Sequence, residues 1–257
     1  MNTRSKLIAL QAISTKEVRR FTRIWVQTVL PPVITTALYF IIFGNLIGPR
    51  IGKMNGFDYM EFIIPGLIMM SVITNSYANV VSSFYGSKFQ RHIEEMLISP
   101  IPNYIILLGY VSGGVTRGLL VGIAVTGVSL VFNPLNIHSI AVMLSMIVLT
   151  SILFSLAGLI NGVFANSFDD ISIIPTFVLT PLTYLGGIFY SISMLPEFWQ
   201  DVSLVNPILY MVNAFRFGFL GISDISLWIS YLISIGFIVA LYLFSLHLLR
   251  TGYGIRT

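Results

Sequence analysis

Six long apolar stretches constrain this 257-residue chain more than any other feature of its sequence. A helix needs about 20 apolar residues to cross the hydrocarbon core of a bilayer, and each stretch reaches that length. Charged residues make up only 9% of the chain, against about 25% in soluble domains. The sequence therefore predicts an all-α membrane protein, a single membrane domain over 1–257 with six transmembrane helices. The predicted spans are 24–43, 62–85, 104–132, 140–164, 171–190 and 226–249.

The residues before the first span are predicted to form an amphipathic interface helix over 3–23. Val18, Phe21 and Trp25 recur at intervals of three and four residues, which is the spacing of one helix face. Such a helix lies in the headgroup plane of an anionic membrane face. A simple positively charged anchor is the alternative, and the two interpretations are compatible. The cations of the segment are Arg4, Lys6, Lys16, Arg19, Arg20 and Arg23.

Lysines and arginines are distributed unevenly between the two sides of the predicted bundle. Cytoplasmic segments carry the excess of these residues in membrane proteins. If the N-terminus is inside, the outer segments hold only Arg50, Lys53 and Arg216. The sequence therefore predicts that both termini are cytoplasmic. The inner segments then hold the six N-terminal cations and Lys88, Arg91, Arg250 and Arg256.

The connection between spans two and three carries a second predicted amphipathic helix, at 89–99, which Pro100 and Pro102 end. Two interpretations stay open: the helix rests on lipid, or it inserts its apolar face into a groove of a soluble partner. His92-x-Glu94 does not match a zinc motif, so no metal site is predicted. The apolar face consists of Phe89, Ile93, Met96 and Leu97, and the polar positions are Gln90, Arg91, His92, Glu94 and Glu95.

The fifth span leads into an irregular segment. Pro181, Gly186 and Gly187 interrupt the apolar run, and Asn206-Pro207 opens a further apolar helix that carries Arg216. Irregular backbone persists at membrane depth only where protein or a water-filled cavity covers it. We therefore expect residues 191–221 to form a re-entrant or interfacial hairpin over the outer side of the bundle. Arg216 should be paired or reach water, because an unpaired cation in hydrocarbon is costly.

Two features of the third span concern packing and charge. Gly114, Gly118 and Gly122 form a smooth face, which is expected to pack against a helix of the same subunit or of a second copy of the chain. Arg117 is the one charge well inside a span. We expect a structural role for Arg117, either by reaching the inner surface or by pairing with Asp169 or Asp170.

Chemistry-bearing motifs are missing from the sequence. It contains no Walker-type Gly-x4-Gly-Lys-Ser/Thr motif, so hydrolysis of ATP by that route is excluded. No carboxylate lies at the middle of a span, which disfavours a proton-coupled carrier. The sequence has no cysteine and no nucleophile or metal-ligand constellation. It therefore predicts no catalytic residue, no cofactor and no nucleic-acid partner.

Several segments, taken in order, resemble the permeases of type-2 ATP-binding-cassette (ABC) exporters, in particular a bacterial inner-membrane branch. Pro207, Tyr210 and Arg216 have the spacing of that family's signature. Together with the basic N-terminal helix, the similarity covers nearly the whole chain. The matching segments are FIIPGLIMMSVITNSYANV (62–80), FQRHIEEMLISP (89–100), FDDISIIPTFVLTPLTYLGGIFYS (168–191) and NPILYMVNAFRFGFLGI (206–222).

This resemblance implies an inner-membrane exporter in which two permease copies, expected to be a homodimer, associate with two separate ATPase subunits that bind ATP and magnesium. It implies that the helix at 89–99 couples to the ATPase, that the helix at 3–23 braces it, and that 191–221 caps the pathway. Substrates in the family are amphipathic drugs, lipid-linked glycans or polysaccharides. The alternative is a secondary carrier or facilitator with no ATPase. An integral membrane enzyme is a third class, but the sequence offers it no catalytic residues.

Overall fold

The computed structural model describes residues 2–134 and 137–254. The turn expected at 133–136 lies partly outside the described residues, and Arg256 lies wholly outside them. We call the end of the bundle that carries the N-terminal helix the inner side and the opposite end the outer side, following the predicted orientation. The prediction of an all-α membrane protein is confirmed.

The described residues form helices and one small β-hairpin. In this hairpin β1 (Lys53–Met54) pairs with β2 (Phe57–Asp58) in antiparallel fashion. The helical elements are α1 Thr3–Arg23, α2 Trp25–Thr28, α3 Leu30–Tyr39, a π-helical segment Phe40–Ile47, α4 Gly48–Ile51, α5 Tyr59–Phe89, α6 His92–Ile98, α7 Asn103–Phe132, α8 Ile140–Phe164, α9 Asp170–Ile174, a second π-helical segment Pro175–Leu179, α10 Thr180–Leu185, a 3-10 turn Ile192–Met194, α11 Glu197–Leu204, α12 Pro207–Leu220 and α13 Leu227–Thr251.

Five helices within the described residues are long and apolar enough to cross a membrane. The predicted fifth span forms a shorter apolar helix, Asp170–Leu185, and irregular backbone follows it as far as Tyr190. The count of six spans therefore remains a prediction. The five long helices are Trp25–Ile51, Tyr59–Phe89, Asn103–Phe132, Ile140–Phe164 and Leu227–Thr251.

The first span differs from its prediction at its outer end. The sequence predicts that this span ends at residue 43, whereas the helix continues to Ile51 through a π-helical segment. Gly44 stays helical because its missing side chain leaves room for the thioether of Met60. At the inner end, Pro31 and Pro32 lie in the first turn of α3, where proline is tolerated.

The long helix α5 lies at the centre of the bundle. In its most apolar window 83% of the residues are buried, against 17% in the first span. It packs against α7, α8 and α12, while α1 packs on α7 at the inner side. Two buried clusters form the core, one around Phe62 and Phe215 towards the outer side and one around Phe84 and Tyr110 towards the inner side. α5 contributes to both clusters and so connects the two ends of the molecule.

Candidate functional site

The short helix α6 lies at the inner side, within the predicted range 89–99. Phe89 belongs to the end of α5, and a turn at Gln90 and Arg91 separates it from α6. Arg91 has a left-handed backbone, with φ of 62°. Because few non-glycine residues adopt this conformation, the sequence indicated a continuous helix where the chain in fact turns sharply.

Of the predicted apolar face only Phe89 points outward, and this corrects the prediction of one exposed stripe. Ile93 is fully buried in the inner core, and the half-buried Met96 and Leu97 pack against the same core. Phe89 is 65% exposed and Ile98 is 86% exposed. The amphipathic pattern arises because α6 packs against its own bundle. We call the exposed residues here the inner apex: Phe89, Gln90, Arg91, His92, Glu95 and Ile98.

The inner apex is tied to the neighbouring helices by contacts that the sequence analysis missed. The Lys88 ammonium donates to the carbonyl oxygens of Val163 and Ala165, both at 2.7 Å, at the C-terminal end of α8. A cation in this position also interacts favourably with the helix dipole. The ring of Phe168 packs against Phe89, with 5.3 Å between the centroids. These contacts therefore connect the ends of α5 and α8 to the apex.

The N-terminal helix α1 is fixed to the bundle by a buried polar network. Glu17 is fully buried and accepts a hydrogen bond from Ser83 at 2.8 Å. Arg20 lies 3.5 Å from the Glu17 carboxylate and donates to both the carbonyl and the side-chain oxygen of Asn79 at 2.8 Å. Gly113 gives Glu17 room to approach α7. The sequence predicted that this helix lies on lipid. It could not predict the burial of Glu17, because a single carboxylate in a basic segment forms no periodic pattern.

The glycine face of α7 packs inside the subunit. Gly114 lies against Ser155, and Gly118 lies between the hydroxyl groups of Ser76 and Ser151. Gly122 lies against Val72. The sequence allowed two partners for this face, a helix of the same subunit or one of a second copy. The structure shows the first, because the glycines let α7 approach α5 and α8 closely. Arg117 lies between these glycines in sequence and donates to the Oδ1 atom of Asn75 at 2.9 Å.

Arg117 does not pair with Asp169 or Asp170 in this structure, which corrects that prediction. Asp170 instead accepts hydrogen bonds from the backbone amides of Asn166 and Ser167, at 2.9 and 3.1 Å. These bonds close the short turn between α8 and α9. The aspartate is therefore engaged locally by its own turn.

At the outer side, the helix Asp170–Leu185 ends at the Gly186-Gly187 pair. Pro181 lies in the first turn of α10 and does not break it, so the interruption comes from the glycines alone. Gly187 has φ of +70°, which favours glycine. Gly186 lies so close to Ile208 that a side chain would overlap it.

The signature residues connect this break to α12. Asn206 caps α12 by accepting from the Ile208 amide at 3.0 Å, and its side chain donates to the Leu182 carbonyl at 2.6 Å. Pro207 occupies the first helical position, as predicted from the sequence. The Tyr210 hydroxyl donates to the Leu204 carbonyl at 2.6 Å. Asn206 and Tyr210 therefore hold α10, α11 and α12 together.

Arg216 is the cation of this outer cluster and is only 1% exposed. Within residues 2–134 and 137–254 it forms no ion pair, so the structure shows neither the predicted pairing nor access to water. Its guanidinium donates to the Gly187 carbonyl at 2.5 Å and lies 3.9 Å from the centroid of the Phe62 ring. Cation–π contacts of this kind strengthen when water is removed. Arg216 therefore links the glycine break to the outer end of α5.

Asp224 completes the outer cluster. Its carboxylate accepts from the Ser191 hydroxyl at 2.9 Å and from Asn55 at 3.4 Å, while its backbone amide donates to Asn213 at 3.1 Å. These bonds join the segment after the break to the β-hairpin and to α12. Sequence reasoning did not identify Asp224, because nothing near it in the chain indicates these distant partners.

A bundle of long apolar helices, with a short helix at one end and a helix broken by glycines at the other, defines a polytopic membrane protein. Residues 8–220 match the ABC-2 type transporter family, and the chain belongs to that family.

The relatives agree with this assignment. The chain is 62% identical to the inner membrane transport permease YadH of Escherichia coli K12, over 97% of this chain and 98% of YadH. It is 27% identical to nodulation protein J of Rhizobium leguminosarum bv. viciae, over 87% of this chain and 86% of that protein. The sequence-based interpretation as an ABC-2 permease is confirmed. The chain is a multi-pass inner-membrane protein and the permease component of an ABC transporter, a class of transporter that works with an ATPase.

Proposed function

We propose that this chain moves an amphipathic substrate outward across the inner membrane, powered by a separate ATPase subunit that docks on the inner apex. The observation that carries the proposal is the position of α5. Its 31 residues extend about 45 Å, from the inner apex at Phe89 to the outer cluster at Phe62 and Arg216. A single helix therefore connects the proposed docking surface to the proposed exit.

The outer end of α5 is in direct contact with the segment that covers it. Gly66 lies against the backbone of Ile188, and a methyl group added at Gly66 would be 2.6 Å from the Ile188 carbonyl oxygen. Ile188 is fully buried. Because α5 and Ile188 are packed so closely here, an axial or rocking displacement of α5 would displace the segment 186–190. Residues 191–221 would act as the outer cap.

The proposed docking surface is the inner apex rather than the predicted apolar stripe. Its exposed apolar members Phe89 and Ile98 would insert into a groove of the ATPase, as an amphipathic helix does in a partner groove. Arg91 and Glu95 lie at the rim, where charges set orientation more than affinity. Hydrolysis of ATP belongs to the partner in this proposal.

An aromatic cluster supports an amphipathic, drug-like, lipid or glycan substrate. The rings of Tyr39, Phe43 and Tyr184 surround Phe189, with centroid distances of 5.9, 5.2 and 5.9 Å. They lie beside the glycine break, between the first span and the end of α10. Aromatic rings offer both apolar surface and, in tyrosine, a polar group, which suits a substrate of mixed polarity.

A homodimer with both termini in the cytoplasm completes the proposal. The first span exposes a run of apolar side chains that includes Ile34, Leu38 and Ile41, and it suits contact with a second permease copy or with lipid. A fusion of alkaline phosphatase to the C-terminus should be inactive in cells if that end is cytoplasmic. An active fusion would overturn the proposed orientation.

Transport is tested in inside-out inner-membrane vesicles that contain the permease and its ATPase. A fluorescent acyl glycoside should accumulate inside when ATP is added, because outward transport fills inside-out vesicles. Permease-free vesicles are the control. Accumulation without the ATPase, abolished by a protonophore, would overturn the proposal in favour of the secondary carrier.

A further inference from the structure

A cavity of about 350 Å³ lies between the first span and α5, close to Arg117. Ligand pockets in proteins range from about 300 to 1,000 Å³, so this cavity reaches the size of a small binding site. Its walls combine hydroxyl and amide groups with proline and aliphatic side chains. We call it the α3–α5 cavity. Thr28, Ala78 and Arg117 lie at its inner end, and Tyr39 and Leu67 lie at its outer end.

The cavity is elongated along the helices. Its walls extend from Thr28 to Tyr39 on the first span and from Ala78 to Leu67 on α5, which is about 16 Å on each helix. The hydrocarbon core of a bilayer is about 30 Å thick, so the length of the cavity is about that of one leaflet. A single acyl chain in extended form fits such a slot.

Arg117 lies at the inner end of this slot. It follows Gly113 by one helical turn, about 6 Å along α7, and Gly113 is the residue that contacts Glu17 of α1. α1 packs on α7 at the inner side, so Arg117 lies about one helical turn further from the inner side than the contact with Glu17. A cation at this depth is suited to a charged headgroup whose tail enters the hydrocarbon.

The charges around Arg117 are not balanced by acidic residues. Glu17 is engaged by Lys16 at 3.9 Å and by Arg20 at 3.5 Å. Across residues 2–134 and 137–254, Arg117 has no ion pair and one hydrogen-bond partner, Asn75, while its Nε atom is buried without a partner. Arg117 is half-buried, and an anion or several acceptors would offset the hydration that it has lost. The guanidinium fork matches phosphate and carboxylate oxygens.

We propose that the α3–α5 cavity binds an amphiphile with an anionic headgroup, which Arg117 holds while the apolar tail occupies the slot towards Tyr39. Asn75 lies beside the headgroup position; one N–H of its side-chain amide donates to the Ser71 carbonyl at 2.9 Å, and the second can donate to the headgroup. Phosphate and carboxylate headgroups share this chemistry. Two sources could supply the ligand, a phospholipid of the surrounding leaflet or an anionic substrate. The site does not depend on the transport direction proposed above, because binding can be measured on the purified permease alone.

The test uses the permease purified in a neutral maltoside detergent and dodecyl phosphate as the probe. Binding is followed by thermal stabilisation as the mole fraction of dodecyl phosphate in the micelles is raised. Arg117→Gln should weaken binding at least tenfold, and Arg117→Lys should recover part of it. Thr74→Phe should also block binding, since Thr74 is an exposed residue of the cavity wall. This second variant keeps the test valid if Arg117→Gln does not fold.

The matched control is Arg23→Gln, which removes the same charge from an exposed position on α1. It should bind dodecyl phosphate like the unmodified permease. An equal loss in Arg23→Gln and Arg117→Gln would overturn the site, because a general attraction to the basic surface would then explain binding. Equal competition by inorganic phosphate would overturn the role of the tail.

Lipid analysis of the purified permease distinguishes the two sources. One anionic phospholipid retained by the unmodified protein and lost in Arg117→Gln would identify the bilayer as the source. A permease that retains no such lipid but still binds dodecyl phosphate would argue against a bilayer phospholipid as the source and favour an anionic substrate. Both results support the site, whereas an unmodified permease that neither retains lipid nor binds the probe contradicts it.

Discussion

The substitution Ile93→Ala tests the packing of α6 against its own bundle separately from the proposed contact of α6 with the ATPase. Ile93 is 0% exposed, and removing three carbon atoms from a fully buried isoleucine costs about 2–5 kcal/mol. For a chain of this size the melting temperature should fall by about 5–15 °C. Ile98 is 86% exposed, so Ile98→Ala should change stability by less than about 0.5 kcal/mol.

The functional consequences should also differ. Ile93→Ala should still bind the ATPase but should transport less substrate per ATP hydrolysed, because α6 no longer moves α5 as one body. Ile98→Asp should weaken ATPase binding at least tenfold while the permease melts normally. Ile140→Asp is the matched control, since Ile140 is 62% exposed at the opposite end of the bundle. Normal melting and normal coupling in Ile93→Ala would refute this reasoning.

Three further substitutions test other contacts. Gly118→Leu should unfold the permease or lower its melting temperature by more than 5 °C, because its side chain overlaps two serine hydroxyl groups; a normal melting curve would place α7 elsewhere. Arg216→Met should reduce transport at least tenfold without loss of ATPase binding, whereas unchanged transport would remove Arg216 from the mechanism. Arg91→Gly should keep or raise stability, by up to about 1 kcal/mol, and Arg91→Val should lower it; the opposite order in thermal melts would contradict the left-handed turn.

Apolar length and proline position predicted much of the fold. The span at 140–164 coincides with the observed helix, and Asn206 with Pro207 begins α12 as the sequence indicated. These features depend on local chemistry, which a single sequence contains. The first span was predicted too short, because Gly44 suggested a loop when it in fact accommodates Met60.

The candidate sites were less predictable because they depend on which face of a helix is buried. The stripe that includes Ile93 has the same spacing whether it meets its own bundle or a partner. The burial of Glu17 and the bridging position of Asp224 depend on residues more than 30 positions away along the chain. No periodic pattern encodes contacts of that range, so only the folded structure reveals them.

The most direct test of the account is a distance measurement at the outer cap. The sequence contains no cysteine, so Trp199→Cys gives one spin-label site per subunit on α11, where Trp199 is 46% exposed. Electron spin resonance then reports the distance between the two labels in the proposed homodimer, with the ATPase bound in the absence and presence of ATP. A shift on ATP binding that disappears in the Ile93→Ala background is the predicted result. An equal shift in both backgrounds, or none in a transporting complex, would contradict transmission through α6 and α5.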